Sequence, residues 1–137
     1  DTTSALVAAL VGFYHKFKIA HVEAGLRTGN NLSPWPEEVN RKLICQIANY
    51  HFAPTKSNKT FLLNENIKPE QIIETGNTVI DALKFSINKV KQLNIHPSIL
   101  EEFYSGQFID KKIVLITGHR RENFGEGFHN IFKAIKE

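Results

Sequence analysis

Acidic side chains stand where an α/β protein presents groups to a ligand. Glu23 directly follows a short strand candidate, and Glu37 and Glu38 begin a helical pattern after a proline-rich loop. Asp1 precedes another helical pattern. Carboxylates at strand ends and helix N-termini fall on the ligand side of an open parallel sheet. Burial or neighbouring charges can give such groups the pKa values that general acids and bases need.

The same carboxylates also have structural interpretations. Asp is among the best N-cap residues, so capping alone would explain Asp1. Glu37 and Glu38 lie four residues before Arg41 and Lys42, a spacing at which ion pairs form on a helix surface. Glu23, directly after the strand candidate, would be an ordinary turn residue. The residue types alone leave both interpretations open.

A second polar group follows the apolar run Ile113–Ile116. Gly118 comes next, then His119, Arg120 and Arg121, and a helical pattern begins a few residues later. A strand, a glycine turn and a helix in this order present groups to a ligand, and the free N–H groups of a helix N-terminus favour anions. Histidine is the natural proton donor at neutral pH. The stretch therefore predicts a phosphate-bearing ligand, although the same residues would also be consistent with a solvated basic turn.

The other histidines and the cysteine give no metal-binding pattern. His21 lies inside the first strand candidate between apolar residues, so we interpret it as a core or rim residue. Cys45 is the single cysteine, which excludes a disulfide framework and a Cys-based zinc site. Four further histidines have no ligand-type spacing with each other or with carboxylates: His15, His51, His96 and His129. We expect no metal and no cofactor.

The composition narrows the class of protein. The chain has 137 residues, of which 42% are hydrophobic, enough for a core. Its formal charge of +3 comes from scattered basic residues, so nucleic acid is not an expected partner. No apolar stretch approaches the ~20 residues of a membrane helix and no signal peptide is visible, so we expect a cytoplasmic protein with no membrane partner. The chain starts at Asp1 and stops inside a helical pattern, which we interpret as a piece of a longer protein.

Strand and helix patterns alternate along the chain. Helices are predicted at about 2–16, 36–49, 57–64, 78–93, 97–104 and from 128, and strands at 18–22, 51–54, 71–75 and 113–116. Val39, Leu43 and Ile47 form the apolar stripe of the second helix. The alternation predicts βα units with parallel sheet, an α/β fold class. A division between two domains is expected between Gly76 and Lys111.

Four motifs carry a family resemblance. They are HVEAGLRTG at 21–29, SPWPEE-x-NR at 33–41, TGNTVIDA at 75–82 and TGHRRENFG at 117–125, and the opening Asp-Thr-Thr resembles a fifth. In this order they resemble the successive signatures of the non-hydrolysing UDP-N-acetylglucosamine 2-epimerases of bacterial polysaccharide synthesis. Each motif alone is weak, but together they cover the chain from end to end.

The resemblance implies a GT-B-like architecture with parts of two Rossmann-type parallel-sheet domains. Residues 1–76 would form the C-terminal part of the first domain, residues 77–110 a helical crossover, and residues 111–137 the start of the second. The family's N-terminal substrate-binding loop and most of its uridine-binding domain have no counterpart in these residues. We therefore expect the chain alone to be inactive and the parent enzyme to be a homodimer.

The resemblance also implies a reaction. The family interconverts UDP-N-acetylglucosamine and UDP-N-acetylmannosamine by eliminating UDP and adding it back, with proton transfer at both faces of C2. Carried over by motif, Asp1, Glu23 and Glu37 take acid/base roles, and the first two also contact the sugar. Glu38 is not the favoured position. UDP-N-acetylglucosamine and UDP are the expected partners.

The basic stretch receives the nucleotide in this interpretation. His119 resembles the family's essential histidine at the UDP, with both catalytic and binding roles. Arg120 and Arg121 would add to the phosphate field or to an effector-nucleotide site. Rival interpretations are a hydrolysing or related UDP-sugar epimerase, a less favoured GT-B glycosyltransferase, and a catalytically silent nucleotide-sugar-binding module.

Overall fold

The computed structural model describes residues 1–94, 98, 101, 108, 110–118 and 123–137. These residues separate into two compact units, Asp1–Ala82 and Leu83–Glu137. The predicted helix at 97–104 lies mostly outside the described residues. None of the described helices is both long and apolar enough to cross a membrane.

The first unit is built on a three-stranded parallel sheet. Its strands are β1 (Ala20–Val22), β2 (Tyr50–Ala53) and β3 (Ile72–Glu74), in the spatial order β1-β2-β3. The register places His21 beside His51, and His51 beside Ile72. The predicted α/β class with parallel strands is therefore confirmed.

Helices connect and flank these strands. They are α1 (Thr3–Tyr14), α2 (Glu37–Ile47), α3 (Lys56–Asn64) and α4 (Thr78–Leu93), and a 3-10 helix at Pro69–Gln71 leads into β3. The Thr2 and Thr55 hydroxyls cap α1 and α3 by accepting N–H hydrogen bonds at 3.2 and 3.3 Å. Each predicted helix and strand up to residue 94 is present, and the ends differ by one or two residues.

The core of the first unit is small. Its buried cluster lies between the sheet and the helices α2 and α3, with Ile67 packed against it; the members are Ala24, Cys45, Ala53, Leu62 and Ile72. Helix α1 packs on α2. The centre of the unit is therefore formed by residues that lie far apart in the sequence.

Helix α2 buries a different face from the predicted one. Glu38, Arg41 and Cys45 are all buried, whereas Leu43 is 48% exposed. The predicted apolar stripe is therefore wrong at Leu43. Polar side chains can take the inner face because they find charged and N–H partners there, which offset the cost of burying them.

In the second unit, the described residues include helix α5 (Glu126–Lys136) and residues 83–93 of α4. The ring of Phe124, two residues before α5, stacks on Phe128, and Phe128 stacks on Phe132, with ring centroids 5.7 and 6.2 Å apart. The strand predicted at 113–116 is not formed, and Leu115 is 86% exposed. A strand requires a hydrogen-bonded neighbour, and the described part of this unit contains no other strand to provide one.

Candidate active site

The carboxyl ends of the three parallel strands share one edge of the sheet. Glu23 follows β1 directly at this edge, with an exposed side chain and a φ of 64°. This left-handed conformation costs a non-glycine residue about 1–2 kcal/mol. Helices α2, α3 and α4 each start after a strand of this sheet, so their N-termini lie on the same side. A ligand at this edge would meet Glu23 and three helix N-termini.

Asp1 is held against helix α2 by two contacts. One carboxylate oxygen, Oδ2, lies 3.1 Å from Nη2 of Arg41, whose side chain is 8% exposed. The backbone carbonyl of Asp1 accepts a hydrogen bond of 2.8 Å from the side-chain amide of Asn40. The residue that caps α1 is Thr2, not Asp1, so the capping interpretation of Asp1 is wrong. Asp1 is instead an ion-pair partner of α2.

Glu37 begins α2 and has an unsatisfied oxygen. Its side-chain Oε2 is buried and has no hydrogen-bond partner among the described residues. Its backbone carbonyl accepts a 3.2 Å hydrogen bond from Nε of Arg41. A buried polar atom without a partner costs about 1–3 kcal/mol. A substrate hydroxyl or N–H group would remove that cost.

Glu38 is fully buried beneath the loop that joins β1 to α2. It accepts hydrogen bonds from the N–H groups of Thr28 and Gly29 at 3.2 and 3.3 Å, and Lys42 and Arg41 lie 3.5 and 3.7 Å away. Burial alone would raise the pKa of Glu38, but these N–H groups and positive charges together lower it. The predicted ion pair of Glu38 with Lys42 is therefore present, but its predicted place on the helix surface is wrong, because this carboxylate lies inside and holds the loop.

Arg27 also points inward. Its guanidinium forms two hydrogen bonds of 2.6 Å with the carboxylate of Glu65, and one of 3.3 Å with Sγ of Cys45. Its side chain is 5% exposed. The ion pair joins the loop after β1 to the end of α3, and it fixes the turn that carries Glu23.

Three potential metal ligands meet in the core. One ligand atom each of His21, Cys45 and His51 lies within 4.8 Å of the others, and all three residues are buried. The sequence interpretation missed this cluster because the two histidines become neighbours only through the β1–β2 register. The Arg27 guanidinium, which donates a hydrogen bond to Sγ of Cys45, would repel a metal cation there. Burial also raises the pKa of the Cys45 thiol, so we interpret the cluster as a neutral polar core.

His21 makes the stability of the first unit depend on pH. Burial is the main reason that its pKa falls to about 4, whereas the unfolded chain has a pKa of about 6.5. The unfolded state therefore binds the proton more tightly, and folding loses stability as pH falls through this window. We expect the free energy of unfolding to drop by about 2 kcal/mol between pH 7 and pH 5.

Urea unfolding at several pH values would measure this dependence. His21→Asn should make the curve shallower between pH 7 and pH 5 without removing the slope, because burial also lowers the pKa of His51. His15→Asn should leave the curve unchanged, because His15 is exposed. An equally steep curve in His21→Asn would assign the pH dependence to other groups.

The predicted nucleotide-binding residues His119, Arg120 and Arg121 lie outside the described residues. Their described neighbours Gly118 and Asn123 line a common cavity of about 440 Å³. Apolar side chains of α5, among them Phe128, form another wall of this cavity. The predicted ligand-binding stretch is thus flanked by residues that share one concave surface.

Comparison with known proteins identifies the family. A family model described as UDP-N-acetylglucosamine 2-epimerase matches residues 1–137. The UDP-N-acetylglucosamine 2-epimerase of Salmonella typhimurium is 49% identical over 137 residues, which are 100% of this chain and 36% of that protein. The enzyme of the same name from Campylobacter jejuni is 51% identical over 141 residues, 99% of this chain and 36% of that protein.

Solved structures agree with these matches. UDP-GlcNAc 2-epimerase from Neisseria meningitidis, bound to UDP-GlcNAc, superposes with a TM-score of 0.81 at 46% identity, over 98% of this chain and 36% of that one. The S. aureus MnaA–UDP co-structure gives a TM-score of 0.85 at 44% identity, over 98% and 34%. The fold class is therefore the GT-B-like α/β class that the motifs implied. The chain spans about a third of the length of these relatives, and it belongs to the UDP-N-acetylglucosamine 2-epimerase family.

Proposed function

We propose that this chain supplies catalytic carboxylates for the reversible C2 epimerisation of UDP-N-acetylglucosamine to UDP-N-acetylmannosamine. The observation that carries the proposal is the buried, unpartnered Oε2 of Glu37, on the helix that also holds Asp1. Glu23 lies at the adjoining strand end. Inverting a carbon centre requires proton-transfer groups on both of its faces, and we assign this requirement to Asp1, Glu23 and Glu37.

The reaction proceeds by elimination and addition. A carboxylate removes the proton from C2 while the C1–O bond breaks, so that UDP leaves with the bonding electrons and a 2-acetamidoglucal forms. UDP then attacks C1 again, and a proton is delivered to C2 from the opposite face. Asp1, Glu23 and Glu37 share the acid/base and sugar-contacting roles.

The departing diphosphate needs stabilisation by cations and hydrogen-bond donors. We assign this role to His119, with Arg120 and Arg121 contributing to the phosphate field or to an effector site. The bound UDP-GlcNAc in the N. meningitidis relative and the UDP in the S. aureus relative support a nucleotide-sugar ligand for this chain.

We further propose that the chain acts within a longer protein. It spans 36% of the S. typhimurium relative, so its carboxylates would meet a nucleotide site completed by other segments. Residues 1–76 would end the first domain, 77–110 would cross over, and 111–137 would begin the second. The isolated chain is then expected to give no multiple turnover. We propose a cytoplasmic homodimer with no nucleic-acid or membrane partner for the parent enzyme.

Deuterium exchange at C2 of UDP-N-acetylglucosamine in heavy water, followed by NMR, tests the reaction. A full-length protein that carries this chain is expected to exchange the C2 proton and to form the nucleotide-linked epimer. His119→Ala should abolish both, because the departing diphosphate would lose the hydrogen-bond donor that we assign to stabilising its charge. An absence of exchange in the unmodified full-length protein would overturn the epimerase proposal and leave a silent nucleotide-sugar-binding module.

Product analysis separates the nearest rival. A hydrolysing enzyme releases free N-acetylmannosamine, whereas the proposed enzyme keeps the sugar linked to UDP. The motifs SPWPEE and TGNTVID favour the non-hydrolysing type. Detection of free sugar as the first product would replace this proposal with hydrolysis.

A further inference from the structure

Arg41 contacts three acidic residues at the candidate site. Its guanidinium lies 3.1 Å from Oδ2 of Asp1 and 3.7 Å from Oε2 of Glu38, and it donates a 3.2 Å hydrogen bond to the carbonyl of Glu37. The Arg41 side chain is 8% exposed. A buried guanidinium with contacts in several directions is held in one orientation, so it can fix the groups that it touches.

The contact to Asp1 is the one that Arg41 alone provides. Glu38 also has Lys42 and two backbone N–H groups as partners. Asp1 is 36% exposed at its side chain, and Arg41 is the ion-pair partner that the described residues give it. Asn40 fixes the backbone of Asp1 but does not contact its carboxylate. Removing Arg41 would therefore release the Asp1 side chain while Glu38 stays held.

We propose that Arg41 is a positioning residue. It fixes the position of the Asp1 carboxylate relative to Glu37 for proton transfer at C2. The inference rests on the proposed function, because it assumes that both carboxylates act on the same sugar. Arg41 itself need not touch the substrate. It couples the two residues because its Nη2 reaches Asp1 while its Nε holds the first turn of α2.

Lysine would not replace this arginine. A guanidinium offers donors in a planar fork, so one side chain can bind a carboxylate and a carbonyl at once, whereas an ammonium acts as a compact point charge. In Arg41→Lys of the full-length protein we expect kcat to fall about 100-fold, the effect of a misplacement of about 1 Å. KM should change little, because Arg41 need not touch the substrate. The C2 exchange rate should fall together with kcat.

Lys42→Ala is the matched control. Lys42 is the next residue of α2 and contacts the same buried Glu38, but no contact joins it to Asp1. We expect its kcat to stay close to that of the unmodified protein. An equal loss in Lys42→Ala and Arg41→Lys would overturn the proposal, because both effects would then come from Glu38 and its loop.

A double-mutant cycle with Asp1→Asn gives a second, independent measurement. If Arg41 acts through Asp1, the double variant should exchange the C2 proton no more slowly than Asp1→Asn alone. Additive losses would overturn the proposal, as would an Arg41→Lys protein with normal kcat or one that fails to fold at 25 °C. An unmodified protein without exchange would instead refute the epimerase function itself, a separate and recognisable result.

Discussion

Glu37→Gln in a full-length protein that carries this chain is expected to lower turnover by about 10²- to 10⁴-fold, with UDP-N-acetylglucosamine binding nearly unchanged. Glutamine has the size of glutamate and keeps one oxygen acceptor, but it cannot accept and return a proton. The buried Oε2 of Glu37 has no partner among the described residues. The substitution therefore removes an acid/base group without breaking a hydrogen bond that the fold uses.

Steady-state kinetics and calorimetric titration with the UDP-sugar would separate the two effects. Glu70→Gln is a suitable control, since Glu70 is an exposed carboxylate in the 3-10 helix before β3, at the opposite end of the strand from the site. It should leave turnover unchanged. Full activity in Glu37→Gln would exclude Glu37 from the proton transfers and leave Asp1 and Glu23 as candidates.

The secondary structure of the first unit was predictable because its signals are local. Helix α4 begins and ends at the predicted residues, Thr78 and Leu93. Its start follows Gly76, which has a φ of 81°, and Asn77, whose side-chain oxygen accepts a 3.0 Å hydrogen bond from the N–H of Val79. Residue types at two adjacent positions thus define this helix start, and no distant partner is needed.

The buried polar interior was not predictable from the same signals. His21 and Cys45 are 24 residues apart in sequence, but Nδ1 of His21 on β1 lies 3.4 Å from Sγ of Cys45 on α2. Glu38 sits beside an apolar stripe that the periodicity favoured, but the N–H groups of a loop ten residues earlier hold it inside. Periodicity describes one element at a time, whereas these contacts depend on how elements pack together.

In the candidate site, too, the sequence named individual residues but not the contacts between elements. The motifs named Asp1, Glu23 and Glu37, and the roles of all three stay predictions. The sequence paired Arg41 only with a carboxylate four residues earlier, because that is the pairing a single helix allows. The structure adds its contact with Asp1, which joins α2 to the residue that precedes α1. This tertiary contact is the origin of the positioning role proposed for Arg41.

Gly25→Ala is expected to reduce the stability of the first unit by about 2–5 kcal/mol. Gly25 has a φ of 87°, which costs a non-glycine residue about 1–2 kcal/mol. A Cβ at this position would lie 2.3 Å from the backbone oxygen of Asn58 and 2.8 Å from its carbonyl carbon, and relieving such a clash costs about 1–3 kcal/mol more. The shift would also strain the 3.2 Å hydrogen bond from the Asn58 side chain to the carbonyl of Gly25.

Gly29→Ala separates the conformational cost from the clash. Gly29 has a similar φ of 76°, but a Cβ there would meet no atom within 4 Å, so its cost should stay at about 1–2 kcal/mol. Urea unfolding, with hydrogen exchange of peptides from β1 and α3, would compare the two variants. Equal losses would mean that α3 can move away from Gly25 at little cost. A larger loss at Gly25 would show that the packing of α3 on this turn fixes the backbone two residues after Glu23, and hence the position of a proposed catalytic carboxylate.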